Sequence, residues 1–289
     1  MTAPHDPDAD PGTPLAEESI DTDWDWTRED LSWVPSEIDT TRPSPSRMYD
    51  YALGGKDNFA VDRHAVHRVS AVLPDYRGLA LANRGFLVRA VRTMAESGID
   101  QFLDLGTGIP TAPNVHEVAR EIVPDARVVY VDNDPIVAAH NRALRAVVDG
   151  VATVQRDIRQ PDTVLSDRTV REHVDLSRPV GVLFVAVLHF VGRGVAPEIV
   201  GRFRSDMASG SAVAISTACS DGMDPITLRQ VEAVYEGASS KIVFRSASQV
   251  QQLFEGFDLT EPGITDVTQW RSEGTPGPVR VAAGLGWLP

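Results

Sequence analysis

This 289-residue chain predicts an α/β fold: a mostly parallel sheet with helices on both faces. Three observations carry the prediction. From residue 101 onward, apolar runs of strand length alternate with amphipathic runs of helix length. The first strand runs into a glycine-rich turn and the second into acids, as happens at the carboxyl edge of an open sheet. The longest apolar run, GVLFVAVLHFVG at 181–192, is too short to cross a bilayer and suits a strand buried on both faces.

The elements follow in order. Pro43 and Pro45 punctuate the start, and residues 46–53 read as a short helix stopped by Gly54-Gly55. Residues 57–72 read as a second helix, with Val66, Val69 and Val72 on its apolar side, broken by Pro74. A third helix, about 78–97, presents Leu79, Phe86, Leu87, Val91 and Met94 and ends at Gly98. Strands are then expected at 101–106, 126–134, 151–158, 179–190 and 211–218. Helices are expected between them at 112–123, 135–148 (opening on Pro135, whose missing N–H costs nothing there) and 196–207. The tail adds helices near 225–237 and 246–255 and strands near 264–270 and 279–285, placed at the sheet edge.

Composition narrows the classes. The net charge is −14, but residues 1–40 hold twelve acids and one base, which leaves the other 249 residues only three charges negative. That leader, rich in Pro, Ser and Thr, reads as disordered, with the WDW and LSWV patches as its only adhesive points. A near-neutral body argues against a nucleic-acid partner, although a local strip such as Arg84, Arg89 and Arg92 keeps this a demotion. A single cysteine, Cys219, allows no internal disulfide and no thiolate metal cluster. His64 and His67 lack a third ligand, so no metal is expected. With no signal peptide and no membrane span in view, the expected location is the cytoplasm.

The chemistry concentrates in three strand ends. Asp104 to Pro110 reads DLGTGIP, where Gly106 and Gly108 let the backbone turn tightly and approach a ligand. A dinucleotide loop wants a third glycine where Thr111 stands, which disfavours a nicotinamide oxidoreductase, and no GxxxxGK[ST] loop occurs. Asp132, about 26 residues past the first glycine, suits the two hydroxyls of a ribose. Asp157 and Ile158, after the third strand, suit the amine and ring edge of an adenine. Asp104 has an alternative use as a helix cap. Thr107 and Thr111 read as turn and cap residues that also touch the ligand; Asn133 is a candidate for the cofactor site with capping of the 135–148 helix as its alternative, and Asp134 reads as a cap of that helix. Acids at three consecutive strand ends suit a cationic ligand without phosphates.

These features resemble a class I S-adenosylmethionine-dependent methyltransferase. RMYDYALGGKDNFAVDR, FLDLGTGIPTAPNVHEVA, VYVDNDPIV, LHFV and the terminal VRVAAGLGW are similar, more narrowly, to the actinobacterial S-adenosyl methyltransferase family, formerly a domain of unknown function. The resemblance spans nearly all of 42–289. It implies a Rossmann-like, seven-stranded sheet at 99–289 and S-adenosyl-L-methionine as cofactor. Asp104, Gly106 and Gly108 then line the methionine moiety, Asp132 the ribose, and Asp157 with Ile158 the adenine.

The resemblance also makes residues 41–98 a helical lid. Tyr49 or Tyr51 would face the sulfonium, a contact worth about 0.5–2 kcal/mol. Lys56 would pair with the methionine carboxylate, and Gly54-Gly55 would turn backbone N–H groups to the ligand. The plainer alternative has Gly54-Gly55 stopping one helix, Asp57 capping the next and Lys56 in solvent. His189, at the end of the fourth strand, is a candidate general base, with a core histidine as the alternative. The expected function is methyl transfer to a small-molecule O- or N-acceptor; a catalytically silent S-adenosylmethionine-binding regulator is the alternative.

Overall fold

The computed structural model describes residues 39–145, 147–277 and 279–289. All but the last two positions of the acidic leader, and with them its expected disorder, lie outside the described residues.

Three helices precede the sheet: α1 (Pro45–Leu53), α2 (Ala60–Val72) and α3 (Tyr76–Glu96). Gly54 ends α1 in the left-handed region at φ 90°, the stop expected of it. The Asp62 carboxylate, with no exposed surface, accepts from the backbone N–H groups of Ser44 (2.8 Å) and Phe59 (2.9 Å) and from Arg47 Nε (2.7 Å). It thereby locks α1 to α2.

Strand and helix then alternate as β1 (Gln101–Leu105), α4 (Val115–Arg120), β2 (Arg127–Asp132), α5 (Pro135–Leu144) and β3 (Val151–Gln155). Two short helices that the sequence pattern did not reveal follow, α6 (Pro161–Leu165) and α7 (Arg168–His173). The chain continues through β4 (Gly181–Val185), α8 (Val195–Asp206), β5 (Ala212–Cys219), α9 (Pro225–Glu236) and α10 (Ala247–Gln252), and closes with β6 (Asp258–Leu259), β7 (Thr265–Asp266) and β8 (Arg280–Trp287).

The sheet order is β3-β2-β1-β4-β5-β8-β6, with β7 pairing β8 off this path. The first five of these strands run parallel, and β8 runs antiparallel along the full length of β5. In register, Asp104 pairs Tyr130 and Leu183, and Asp132 pairs Gln155, so the carboxyl ends of β1 to β4 form one edge. The order reverses between β1 and β4, where open α/β sheets bind ligands.

Alternation within the strands builds both faces. Phe102, Val128, Tyr130 and Leu183 share a core with α3 and α4, while Leu103, Val129, Val131 and Val182 share one with α6, α7, α8 and α10. A third cluster joins α1 and α2 to α9 through Met48, Val66, Val69, Val231 and Tyr235.

Two expectations need correction. The run at 179–190 is not one strand. It leaves the sheet at Ala186, whose φ is 56° and whose N–H is taken by Ser216 through both its carbonyl (3.1 Å) and Oγ (2.9 Å). Leu188–Phe190 then forms a 3-10 turn. These residues are apolar because they line a cavity and a core, not because they extend the sheet. The tail also differs: β8 is interior, with β5 on one side and β6 and β7 on the other. Gly284 and Gly286 admit Phe254 and Phe257 there; a Cβ on Gly286 would meet Phe257 Cβ at 2.8 Å.

Candidate functional site

A cavity of about 220 Å³ opens at the carboxyl edge of β1 to β4, beneath α1 and α3. Gly106 sits at its floor with φ 73°. A Cβ there would lie 2.2 Å from Val187 Cγ2, so only glycine lets β1 end against the chain leaving β4. Gly108 has φ 65°, and a Cβ on it would meet nothing within 4 Å because that direction is open space.

The acids gather here. Asp132, 7% exposed, accepts from the N–H groups of Gly108 and Asp134, both at 2.9 Å, one on each carboxylate oxygen. Each oxygen keeps a further lone pair. Burial pushes its carboxyl up to about 6, against those two hydrogen bonds. Asp104, 3% exposed, accepts from Thr107 Oγ1 at 2.8 Å, and burial raises it as well. It does not cap the following helix; Asn114 stands at that position. Asp134 caps α5 through Ile136 N–H (2.9 Å) and receives Ser44 Oγ at 3.0 Å, tying the start of α1 to the end of β2.

Asn133, Asp157 and Ile158 line the same space. Asp157 is engaged by Arg159, whose Nε lies 3.0 and 2.9 Å from its two oxygens. Burial raises this carboxyl, but the Arg159 bonds prevail and hold it below the usual range.

The expected lid residues divide. Tyr49 lines the cavity, its hydroxyl donating to Ala80 O (3.0 Å) and accepting from Asn83 Nδ2 (2.9 Å); burial pushes it up to about 12. Ser46, Asp50 and Leu53 join it, one face of α1 at helical spacing. Tyr51 turns the other way, to His67 Nε2 at 3.1 Å. Gly54 ends the helix, Lys56 is exposed, and Asp57 pairs with His140 at 3.8 Å without capping α2, whose N-cap is Phe59. None of Tyr51, Gly54, Gly55, Lys56 and Asp57 is among the residues lining the cavity. Gly55 is needed for another reason: a Cβ on it would lie 2.0 Å from Asp50 Oδ1.

His189 lines the cavity but is not built as a base. Its Nδ1 accepts the Ala218 N–H at 3.3 Å, so the neutral ring carries its proton on Nε2. Burial, helped by Arg245, lowers its pKa to about 3.

Three site residues escaped the sequence reading. Asp50, 4% exposed, faces the cavity with Oδ2 held by Asp57 N–H (3.0 Å) and Asn58 Nδ2 (2.9 Å), while Oδ1 accepts no hydrogen bond among the described residues. Arg84 also lines the cavity. Its Nη2 donates to the carbonyls of Thr111 and Pro113, its Nε is buried without a partner, and it has no carboxylate ion pair among the described residues. Arg156 and Arg159, the other cations lining the space, are paired with Asp167 and Asp157. Arg145, 1% exposed, lies 4.0 Å over the Tyr130 ring and donates to Thr107 Oγ1 (2.6 Å), Asn114 Oδ1 (2.9 Å) and Asn141 Oδ1 (2.8 Å), bracing the glycine turn from behind. One signal was present for Arg145: with Asn141 it places polar residues at four-residue spacing on the stripe that begins at buried Val137.

The sheet order, the antiparallel β8 and the glycine-and-acid edge define a class I methyltransferase architecture. The S-adenosyl methyltransferase family model matches residues 31–287, and the chain belongs to that family. Its cofactor is S-adenosylmethionine. Two solved structures are similar over nearly their whole length. A Thermobifida fusca YX protein assigned as a methyltransferase is 37% identical, with 89% of this chain and 99% of that one covered at a TM-score of 0.82. A DUF574 family protein from Streptomyces avermitilis MA-4680 is 36% identical, with 87% and 99% covered at a TM-score of 0.82. No curated protein matches the chain.

Proposed function

We propose that this chain transfers a methyl group from S-adenosylmethionine to a small-molecule acceptor. The observation that carries the reading is the charge of the cavity. Asp50, Asp104, Asp132 and Asp134 line it, while two of its three arginines are already neutralised, so the net field favours a cation. When bound, the cofactor supplies a methyl group on a sulfonium, open to displacement by a nucleophile.

In this reading Asp132 accepts from the ribose hydroxyls with the lone pairs its two N–H partners leave. The open direction over Gly108 admits the cofactor's backbone. Ile158 and the Asp157–Arg159 pair form the adenine wall. Arg84 replaces Lys56 as the partner of the methionine carboxylate, since its buried Nε lacks any acceptor. Residues 41–98 act as the lid, through the Ser46–Tyr49–Asp50–Leu53 face of α1. Excluding water from this space strengthens every one of these contacts.

Calorimetry tests the reading. S-adenosylhomocysteine is expected to bind and NAD not to; the reverse result rejects it. Asp132→Ala is expected to weaken S-adenosylhomocysteine by at least about 1 kcal/mol, the scale of a lost charge-assisted hydrogen bond. Unchanged affinity removes Asp132 from the site.

A further inference from the structure

The cavity's lining joins a set of charged residues to an apolar cluster. If the chain is a methyltransferase, the reading on which this inference rests, the contrast bears on the acceptor. Every charged residue lining the cavity comes from positions up to Arg159. From Val185 onward the lining contains no Asp, Glu, Lys or Arg. Tyr76 and Leu79 pack in one hydrophobic cluster with Val231, Tyr235 and Phe244, and these five form an apolar end of the lining.

Three side chains here offer donors, and the hydroxyls of Ser239 and Ser240, which donate as well as accept, line the cavity too. The hydroxyls of Tyr76 and Tyr235 lie 3.1 Å apart, so one donates to the other and the second proton remains for an outside acceptor. Burial holds both tyrosines protonated. His189 offers Nε2–H, because Nδ1 is spent on Ala218. A cationic amine brought here loses its water among apolar side chains, a loss that the donors of Tyr76, Tyr235 and His189 do not repay. An oxygen carrying developing negative charge meets O–H and N–H groups instead.

We infer that the acceptor is an apolar, ring-sized hydroxyl compound, a phenol or enol, seated among Tyr76, His189, Tyr235 and Val231, and that the chain is an O-methyltransferase. The acceptor oxygen forms the new C–O bond with its lone pair. The C–S bond breaks with its electrons left on sulfur, giving the neutral thioether, and the hydroxyl proton passes to solvent. No protein carboxylate is required as base at this end.

The test uses the full chain saturated with S-adenosylhomocysteine. Calorimetry with that compound alone comes first, and no binding there overturns the methyltransferase reading and this inference together. Two probes of similar size are then titrated: 7-hydroxycoumarin, whose absorbance separates phenol from phenolate, and 1-naphthylmethylammonium. The hydroxycoumarin is expected to bind at least tenfold more tightly. Tyr235→Phe and His189→Gln, which keep shape, are each expected to raise the pKa of the bound hydroxycoumarin, because each removes or weakens a donor to its oxygen. Equal or tighter binding of the ammonium overturns the inference while leaving the cofactor reading intact. So does failure of the hydroxycoumarin to bind, or an unmoved pKa in both variants.

Discussion

At the scale of single residues, Asp132 shows a site that costs stability. Its carboxyl titrates at about 6 in the folded chain because burial disfavours the charge. A raised folded-state pKa means that the protonated form is favoured by folding, so this contribution is fully present below the unfolded value near 3.8 and is lost as pH rises through about 6. Asp132→Asn is therefore expected to gain stability relative to the parent, by about 1–2 kcal/mol between pH 5 and pH 8. Urea unfolding at the two pH values checks this; a pH-independent difference contradicts it. The same change is expected to weaken the cofactor product, since an amide cannot accept on both sides. Arg84 and Lys56 make a second contrast. Arg84→Met is expected to weaken S-adenosylhomocysteine by roughly ten- to a hundredfold, the worth of a hydrogen bond to a charged group, whereas Lys56→Met leaves affinity unchanged. Calorimetry on the two variants compares them directly.

At the scale of elements, the two glycines of the β1–α4 turn should separate fold from function. Gly106→Ala brings a Cβ within 2.2 Å of Val187 and places it in the left-handed region. We expect a loss of about 2–4 kcal/mol, from left-handed strain plus overpacking. Gly108→Ala meets open space, so only about 1–2 kcal/mol of strain is expected, with a larger effect on cofactor affinity because the methyl enters the cavity. Thermal unfolding paired with calorimetry reads both; equal stability losses contradict the packing argument. The α1–α2 corner hangs on Asp62, which holds Arg47 and two backbone N–H groups without exposed surface. Asp62→Ala leaves Arg47 buried and unpaired, and about 3–5 kcal/mol is the expected cost by urea unfolding.

At the scale of the whole molecule, the family match begins at residue 31 and the residues lining the cavity begin at Ser44. A chain starting at Asp39 is expected to bind S-adenosylhomocysteine as the full chain does. One starting at Ser44 also loses the carbonyls of Asp39 and Arg42 that receive Arg47 Nη2, and is expected to bind more weakly. Calorimetry on the two truncations decides this. The strip Arg84, Arg89 and Arg92, which looked like a basic surface in one dimension, is dispersed in three. Arg84 lines the cavity, Arg89 donates to the carbonyls of Trp270 and Val267, and Arg92 pairs with Glu121.

The parallel strands and the acids and glycines at their ends were readable in one dimension. Strand length, apolar alternation and turn chemistry are local properties, and residues such as Gly106 and Asp132 follow their strands directly. The same is true of α1 and its stop at Gly54. What came only from the fold depends on contacts between distant segments. The bend at Ala186 exists because Ser216 takes its N–H. The interior place of β8 exists because β5 pairs it along its whole length. The place of Arg84, and not Lys56, in the cavity lining follows from where α3 lies. Local chemistry was enough for the class of fold and the acids at the carboxyl edge of the sheet. Which cation and which tyrosine line the cavity came from packing alone, because side-chain direction across a cavity is set by neighbours far away in the chain.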